Sequence, residues 1–450
     1  MIRVGYGRAD ITPDFSVPLA GFGNSSTRMS QGYVNRQYAT CIAITDEKKK
    51  TVLLFTQDQC ITVGSWARRA RARILAATGV PVNNIMISST HNHATVDHGN
   101  RAEPSVDKFQ LFYEDKMVEA AVAALADRAE AKVETGRTVT GPLSYVRHYY
   151  LDNGTTAGDN YGDFSSGKVV GHTTEADRRM QLIRFTFENK APIVLVNWQA
   201  HPTVSSTAAR ESGRMLRPFL SADFVGACRD WVEKQIDCRF AYFQGASGNL
   251  NSRSFLAKEE PVPTNVHEYG AQLGKHVLEG LETMKEVNAG AVQLQQKIYE
   301  GELDHSDDYR YEAAAEIAKF WRETNDKAAC IEMGKKSDIH SPYHANAIVA
   351  RHNMGSTLSM EINAIRVGDI SFVTAPYEMF DTNGAYIKDN TPVDMTFVLT
   401  YANDHVSYIA SKEAFDYGCY EADIRRFTRG TGEKVAQILV DMLTEMKEEE

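Results

Sequence analysis

The sequence lacks several features that would assign a protein to a class at once. It has no uninterrupted run of about 18 apolar residues, so it offers no membrane span. Its six cysteines are scattered, with no pair at C-x-x-C spacing, which is typical of buried thiols in a reducing compartment. No apolar segment follows a basic start at the amino terminus, so no signal peptide is predicted. We therefore expect a cytoplasmic protein with no integral membrane segment.

The sequence also lacks a surplus of basic residues. Its 450 residues include 49 Lys and Arg against 59 Asp and Glu, which gives a formal net charge of −10. Because broad nucleic-acid binding depends on Lys and Arg, we expect no nucleic-acid partner. Apolar residues make up 43% of the chain and charged residues 24%, a balance that forms a buried core and excludes a disordered chain. The expected partner is a small-molecule substrate, and homo-oligomer formation stays open.

Short apolar runs alternate with helical patterns along the whole chain. Ile85–Ser88 and Ile193–Trp198 are typical of buried strands, and Tyr311–Met333 has the pattern of a single helix. The charge run Asp46–Lys50 separates two strand-like runs and predicts a hairpin turn. This alternation predicts an α/β fold with mixed, partly antiparallel central sheets flanked by helices. Nothing marks a domain boundary, so residues 1–450 are predicted to form one domain.

Polar clusters follow the apolar runs at the points where the predicted strands end. His91, His93 and His201 each follow such a run, and Glu378 and His405 follow two later ones. Ligands of α/β proteins gather outside strand ends, so these side chains are predicted to meet there. Imidazole nitrogens with a carboxylate are a ligand set that suits zinc, with iron and manganese as alternatives.

Most of the other charged and imidazole side chains are interpreted as ordinary. Arg71 and the arginines near it lie on a predicted helix and are interpreted as a solvated face. A lone histidine is more often a surface or hydrogen-bonded core residue than a ligand, and His405 stays undecided. The histidines interpreted as ordinary are His98, His148, His172, His267, His276, His305, His340, His344 and His352.

A glycine-rich loop follows another strand-like run. The backbone N–H groups of Gly245–Gly248 are suited to cradling an anion, and the loop lacks the Lys of a nucleotide-binding P-loop. A second glycine-containing segment, Asp152–Gly171, is either the polar wall of an active site or a flexible surface excursion. The candidate substrate contacts in and beyond the first loop are Gly245, Ser247, Asn249 and His405.

Several motifs occur in an order that points to a known family. They are Val4–Pro13, Met86–His93, Asn197–Thr203, Ser221–Gly226 and Gln244–Asn251. In this order they resemble the catalytic domain of the neutral/alkaline (non-lysosomal) ceramidases, which are zinc-dependent amidases. The resemblance spans most of the chain. It implies a single catalytic domain over residues 1–450, without the C-terminal immunoglobulin-like domain of that family, and hydrolysis of an amide (N-acyl) bond by metal-activated water.

The resemblance also implies a role for individual residues. His93 would stand beside the metal and handle protons or hold the scissile group. Arg147 and Tyr420 would contact the substrate or the developing oxyanion. One zinc ion is expected, and the ligands implied for it are His91, His201, Glu378 and Tyr408.

The chain departs from the family pattern at one position of the glycine-rich segment. Asn251 stands where the family carries an essential serine, and it is kept as a catalytic candidate. An acidic chain without a basic patch or membrane-docking helix is poorly suited to extract a lipid, which argues against ceramide as the substrate. Two alternatives therefore stay open: a metal-dependent hydrolase of a small polar ester, amide or sugar derivative, and a non-catalytic ligand-binding homologue.

Overall fold

The computed structural model describes residues 1–21, 28–100, 102–205, 218–254, 256, 263 and 265–449. Their strands form a nine-stranded sheet, a four-stranded sheet and three smaller ones. The strands are β1 (Ile2–Asp10), β2 (Tyr38–Thr45), β3 (Thr51–Gln57), β4 (Ile85–Ser89), β5 (Ala129–Val139), β6 (Tyr145–Val146), β7 (His148–Leu151), β8 (Thr156–Gly158), β9 (Val169–His172), β10 (Arg179–Thr186), β11 (Ile193–Trp198), β12 (Arg239–Gln244), β13 (Leu250–Asn251), β14 (Lys285–Val287), β15 (Val292–Glu302), β16 (Thr357–Val367), β17 (Ile370–Thr374), β18 (Glu378–Met379), β19 (Met395–Leu399) and β20 (Tyr408–Ile409).

Helices fill most of the longer connections between these strands. None within the described ranges is both long and apolar enough to cross a bilayer. The α-helices of the described part are α1 (Gly64–Thr78), α2 (Pro104–Ala126), α3 (Asp223–Gln235), α4 (Val266–Glu282), α5 (Tyr311–Thr324), α6 (Lys327–Gly334), α7 (Pro342–His352), α8 (Asp381–Asn390), α9 (Lys412–Tyr417), α10 (Tyr420–Asp423) and α11 (Thr431–Glu448).

The large sheet has the strand order β12-β11-β10-β5-β1-β2-β3-β4, with β14 paired to β5. Strands β2 and β3 are antiparallel around the charged turn, which confirms the predicted hairpin at Asp46–Lys50. Strands β3 and β4 run parallel, as do β11 and β12 at the other end of the sheet. The four-stranded sheet, β15-β16-β17-β19, contains a further parallel pair in β17 and β19.

The two larger sheets pack face to face. Their shared core includes Ile42, Leu195 and Phe243 from the large sheet with Phe372 and Phe397 from the four-stranded one, all fully buried. Helices α1 and α2 cover one part of the outer face of the large sheet, and α3 and α4 cover another. Helix α11 covers the outer face of the four-stranded sheet. The predicted α/β fold with mixed, partly antiparallel sheets flanked by helices is confirmed.

Two local predictions are wrong. The single helix over Tyr311–Met333 is two helices, because Asn325 adopts a left-handed backbone (φ 52°) and the side chain of Asp326 caps the start of α6. The Arg71 side chain is not on a solvated face. It is only 5% exposed and pairs with Glu361 of β16, with 3.0 Å between Nη1 and Oε2.

Candidate metal centre

His91 lies just beyond the carboxyl end of β4, and its backbone turns sharply there. Its φ of 67° is in the left-handed region, which is strained for a residue with a side chain. The ring nitrogen Nδ1 lies 2.7 Å from the carbonyl oxygen of Cys60, beyond the end of β3. A carbonyl only accepts, so Nδ1 carries a proton and Nε2 is the nitrogen that is left to coordinate a metal.

His201 reaches the same place from the other end of the large sheet, beyond the carboxyl end of β11. Its Nδ1 lies 2.8 Å from the carbonyl oxygen of Ser247 and 3.0 Å from that of Leu250. These carbonyls fix the same tautomer as in His91, with a free lone pair on Nε2. Two histidines from separate strand ends are therefore held by backbone groups with the same nitrogen facing inward.

Glu378 supplies the carboxylate on which both imidazoles converge. Its Oε2 lies 3.1 Å from Nε2 of His91 and 3.4 Å from Nε2 of His201. Its second oxygen lies 3.2 Å from Nε2 of His405. Glu378 is not at a helix start but in the short strand β18, whose parallel pairing with β20 places Tyr408 beside it. All three converging side chains are buried, and their donor atoms lie within 4.8 Å of one another.

Burial and mutual charge set the ionisation of this group. Burial raises the pKa of Glu378, but the neighbouring His91 charge and the histidine hydrogen bonds hold it well below its usual range. Burial lowers the pKa of His91, but the charges of Glu378 and Cys60, together with the hydrogen bonds to them, raise it to about 10. Burial and then the Arg147 charge lower the pKa of His201 to about 4. Glu378 and His201 are thus in the forms that coordinate a divalent metal, an ionised carboxylate and a neutral imidazole, and a metal that binds here would displace the Nε2 proton of His91.

The donor set fits a zinc ion by its chemistry. His91 and His201 each present an Nε2 lone pair whose direction is fixed by a carbonyl on the opposite nitrogen. Such outer hydrogen bonds are typical of metal-ligating histidines, and two imidazoles with a carboxylate suit zinc. His91, His201 and Glu378 are thus the residues able to hold the metal.

Two tyrosines border the three converging residues. The hydroxyl of Tyr408, the predicted fourth ligand, lies 3.4 Å from Nε2 of His201. Tyr401 was not predicted as a site residue. Its ring stacks on His91 at 4.2 Å between centroids and 9° between planes, and its hydroxyl lies 3.5 Å from Oε2 of Glu378. The sequence signal was its position at the end of a predicted strand. Its turn toward the site follows from a left-handed backbone, φ 55°.

His93 lies on the open side of the group and is half-buried. Its Nε2 is 3.3 Å from Nε2 of His91. Burial, together with the charges on the neighbouring histidines, holds the pKa of His93 well below its usual range. Gly21 makes room for it, because a Cβ at that glycine would lie 2.5 Å from Cβ of His93. The structure places His93 next to His91, and its role beside a metal stays a prediction.

Arg147 is held against the centre by a buried acid that the sequence did not reveal. Its Nη1 lies 3.5 Å from Nε2 of His201, and its Nη2 donates to the carbonyl of Gly248 at 2.9 Å. Its Nε donates to Glu421 at 2.6 Å, and Glu421 is fully buried. The second Glu421 oxygen lies 2.7 Å from Nε2 of His148, a histidine interpreted as ordinary. Only the three-dimensional pairing of distant segments reveals the role of Glu421 and His148.

The glycine-rich loop supports the centre and does not form the predicted anion cradle with its glycines. The Gly245 N–H donates to the carbonyl of Trp198, and the Gly248 N–H donates to the carbonyl of Met379. Both donors are therefore used inside the protein. Ser247 reaches the centre indirectly, because its Oγ lies 3.0 Å from the hydroxyl of Tyr401.

Asn249 and Asn251 make contacts on opposite sides of that loop. Asn249 is buried and exchanges two hydrogen bonds with Asp381, at 2.7 and 2.9 Å, so it fixes the loop and does not face a substrate. Asn251 donates from Nδ2 to Asp159 at 3.0 Å. Asp159 also lies 3.8 Å from Nη1 of Arg147, which connects Asn251 to the centre.

Tyr420 lies behind Tyr408, with 6.0 Å between the ring centroids and an edge-on geometry. Burial raises the pKa of its hydroxyl. In the described structure its ring packs between Tyr408 and Tyr343, and so Tyr420 supports the predicted ligand Tyr408. Of the predicted site residues, Tyr420, Gly245 and Asn249 lie behind the first layer of side chains around the centre.

A cleft of about 1540 Å³ comes near the centre at Asp159, although none of the three converging residues lines it. Asp159 lines it, and so the cleft wall is one side chain away from Arg147. The segment Asp152–Gly171 folds back as strands β8 and β9 onto β7 and forms much of this wall. The structure places this segment in the wall of a cleft, and that this wall belongs to the active site stays a prediction. Its lining is rich in acids, hydroxyls and tyrosines, including Thr156, Tyr161, Asp163, Thr173, Asp338 and Glu413.

Comparison with known proteins identifies the fold. The chain matches no protein-family model and no curated protein sequence. Among solved structures it matches neutral ceramidase from Pseudomonas aeruginosa with a TM-score of 0.72 and 18% identity, over 100% of this chain and 75% of that chain. It matches a ceramidase complexed with C2 with a TM-score of 0.72 and 17% identity, over the same shares of the two chains. The fold is therefore that of a neutral ceramidase-like catalytic domain, as the sequence resemblance predicted.

Proposed function

We propose that this protein is a zinc-dependent hydrolase that cleaves the amide bond of a polar N-acyl compound other than ceramide. One observation carries the proposal. The Nε2 atoms of His91 and His201 lie 3.1 and 3.4 Å from the same oxygen of Glu378, in a buried position at strand ends. A divalent cation between these atoms would take both imidazole nitrogens and the carboxylate as ligands. The neutral ceramidase-like fold supports an amide as the scissile group.

The chain supplies groups for each part of such a reaction. A zinc ion bound by His91, His201 and Glu378 supplies Lewis-acid chemistry, which polarises a carbonyl and makes hydroxide available at neutral pH. His93 is placed to take a proton from the nucleophile and return it to the leaving amine. Arg147 brings a fixed positive charge to the side of the centre where the oxyanion would develop. Tyr408 brings a hydroxyl to the same side.

The cleft favours a polar substrate over a lipid. Asp159, Asn251 and the hydroxyls of the cleft wall would hydrogen-bond a polar group next to the scissile bond. The lining also contains apolar side chains, Phe164, Ile331 and Ile339 among them, so the preference for a polar compound rests on the polar groups nearest Arg147. A small polar ester or an acetylated sugar is the second candidate, because the same lining of acids, hydroxyls and aromatic rings suits it equally well.

The test is a substrate panel assayed with chelated and zinc-reloaded protein. The panel contains water-soluble N-acyl amines, N-acyl sphingosine in detergent, water-soluble esters and acetylated sugars. We expect zinc-dependent release of amine from the soluble N-acyl amines, and no more than slow turnover of N-acyl sphingosine. Turnover of only esters or sugars would replace the first candidate with the second. Ligand binding without any turnover would identify a non-catalytic homologue, and a protein that binds no metal would contradict the proposal.

A further inference from the structure

A second cluster of histidines and a carboxylate lies outside the centre. His340 precedes helix α7, His344 lies in its first turns, and Asp423 is the last residue of α10. Nδ1 of His340 is 2.9 and 3.0 Å from the two oxygens of Asp423, and Nδ1 of His344 is 3.7 Å from the same carboxylate. These donor atoms all lie within 4.8 Å of one another, which is the spacing of ligands around one ion. Ligands at about 2.1 Å from a zinc ion lie roughly 3.4 Å apart.

Each imidazole of this cluster has a second carboxylate behind it. Nε2 of His340 lies 3.1 Å from Oδ1 of Asp338, and Nε2 of His344 lies 3.8 Å from Oδ2 of Asp307. Metal-ligating histidines typically direct their outer nitrogen to a carboxylate, which fixes the tautomer and raises the basicity of the inner nitrogen. His340 has that environment through Asp338, whereas Asp307 lies beyond hydrogen-bond distance of His344 and contributes only its charge.

An ordinary ion pair accounts for only half of this arrangement. A protonated His340 paired with Asp423 would explain the short contacts between these two residues. It would not explain His344, which is 1% exposed and keeps Nδ1 beside the same carboxylate at 3.7 Å, beyond hydrogen-bond distance. Nδ1 of His344 accepts only the backbone N–H of His340, and that bond is long at 3.3 Å. A cation between the three groups would use both inner nitrogens and the carboxylate.

The charges around the cluster leave room for a cation. Arg351 and Arg425 both pair with Asp307, and Arg310 pairs with Asp338. Arg425 also pairs with Asp304, so each of the three guanidinium groups has an acid other than Asp423. Neutral imidazoles with Asp423 would carry a net negative charge at the inner side, which attracts a divalent ion.

One side of the cluster faces the cleft beside the main centre. His340 and Asp338 both line this cleft, and the ring of Tyr161 stands edge-on to His340 at 5.3 Å. We propose that His340, His344 and Asp423 form a second site for a divalent transition metal of the zinc class. Three protein ligands leave a coordination position open, and an oxygen of water or of a ligand in the cleft would occupy it.

Counting bound zinc in variants tests the proposal independently of the proposed function. The full chain is stripped with a chelator, loaded with zinc, passed through gel filtration and analysed for zinc per chain. His340→Ala/His344→Ala should bind about one zinc ion fewer than the wild type, since it lacks two ligands of the second site. His91→Ala/His201→Ala removes the main centre and should retain the zinc of the second site, whatever reaction the main centre catalyses.

The matched control is His352→Ala. His352 lies on the same helix, and its Nδ1 contacts Asp308 and not the cluster. It should bind as much zinc as the wild type, and thermal melts should show all variants folded. If the double variant fails to fold, Asp423→Asn replaces it, because the amide keeps the size of the side chain. The proposal of a second site would be overturned by either of two results. One is a folded cluster variant that binds as much zinc as the wild type, and the other is a His91→Ala/His201→Ala protein that binds no zinc.

Discussion

The two histidine clusters differ in what holds the outer nitrogen of each imidazole. In the main centre, backbone carbonyls of Cys60 and Ser247 accept from His91 and His201. In the second cluster, the side chain of Asp338 stands in that position for His340, and Asp307 lies 3.8 Å from Nε2 of His344. A carbonyl in a strand-end loop is neutral and rigid, whereas a carboxylate adds charge and can be lost by a single substitution. The main centre is therefore built for fixed geometry, and the second cluster depends on its surrounding charges.

Backbone strain follows the same division. His91, Tyr401 and Ser407 all have left-handed backbones around the main centre, with φ of 67°, 55° and 81°. In the second cluster only Asp338 does, with φ of 53°. Such conformations cost about 1–3 kcal/mol each and persist where the surroundings over-determine them. The concentration of strain at the main centre is what a preorganised site requires.

One short helix serves both regions. Helix α10 contributes Glu421 to Arg147 of the main centre and Asp423 to His340 of the second cluster. Its Tyr420 packs on Tyr408 on one side and on Tyr343 of α7 on the other. The two regions are thus neighbours through a single turn of helix, and substitutions along α10 can separate their contributions.

Removing the carboxylate of the main centre should have the largest effect. In Glu378→Ala, His91 and His201 lose the group on which both converge, so zinc affinity and amide hydrolysis should each fall by more than about 100-fold, since even outer-layer partners account for 10–100-fold. Zinc titration and the amine-release assay measure the two effects. The control is Glu413→Ala, an exposed acid of the cleft wall. Unchanged zinc affinity in Glu378→Ala would show that Glu378 is not a ligand.

The next largest effect is expected to be a loss of folding stability when Glu421 is substituted. Glu421→Gln leaves the buried Arg147 guanidinium without its acid, and removing one partner of a buried pair costs about 3–5 kcal/mol. Burial raises the pKa of Glu421, but the charges of Arg147 and His148 lower it well below its usual range, so the carboxylate is ionised at neutral pH. Urea unfolding of Glu421→Gln and of the exposed control Glu448→Gln measures the difference. If the free energy of unfolding fell no further in Glu421→Gln than in the control, the ion-pair argument would be contradicted.

Strand-end patterns predict the main centre better than any other part of the molecule. The apolar runs before His91 and His201 are long enough to form strands, and each strand runs parallel to a neighbour, β4 to β3 and β11 to β12. The roles of Tyr401 and Glu421 could not be predicted from the sequence, for different reasons. Tyr401 turns inward only because of its backbone conformation, and Glu421 meets Arg147 from 274 positions away. A single sequence contains neither of these facts.

The second cluster illustrates another limit of the sequence. His340 and His344 have a spacing of four residues, which occurs in metal sites on helices. Here Ser341 caps the start of α7, so His340 lies before the helix and the pair does not form a simple helical face. The carboxylate partner, Asp423, comes from a four-residue helix that has no periodic signal of its own. The histidines were therefore interpreted as ordinary residues, and the structure assigns them a shared environment.

A smaller effect is expected from neutralising an outer carboxylate of the second cluster. Asp338→Asn keeps a hydrogen-bond acceptor for His340 but removes a negative charge, so zinc affinity of the second site should fall by about 10–100-fold. The main centre should be unaffected because its outer acceptors are carbonyls. Zinc titration in the His91→Ala/His201→Ala background isolates the second site. The control is Asp163→Asn, because Asp163 is an acid that lines the same cleft. If zinc affinity changed equally in both variants, the effect would come from the overall charge of the cleft and not from the contact with His340.

The smallest effect is expected when Cys60 is substituted. This substitution tests whether His91 is held by the backbone carbonyl of Cys60 or by its thiol. The Cys60 thiol lies 4.0 Å from Nδ1 of His91, while the carbonyl of the same residue lies 2.7 Å away. Cys60→Ser keeps that carbonyl, so zinc per chain should stay at the wild-type value. Burying a hydroxyl in place of a thiol costs about 1–3 kcal/mol, and the buried control Cys228→Ser should lose a similar amount. If the Cys60 thiolate were instead a ligand, the zinc affinity of Cys60→Ser would fall steeply and that of Cys228→Ser would stay constant. The main centre would then depend on a side chain, as the second cluster does.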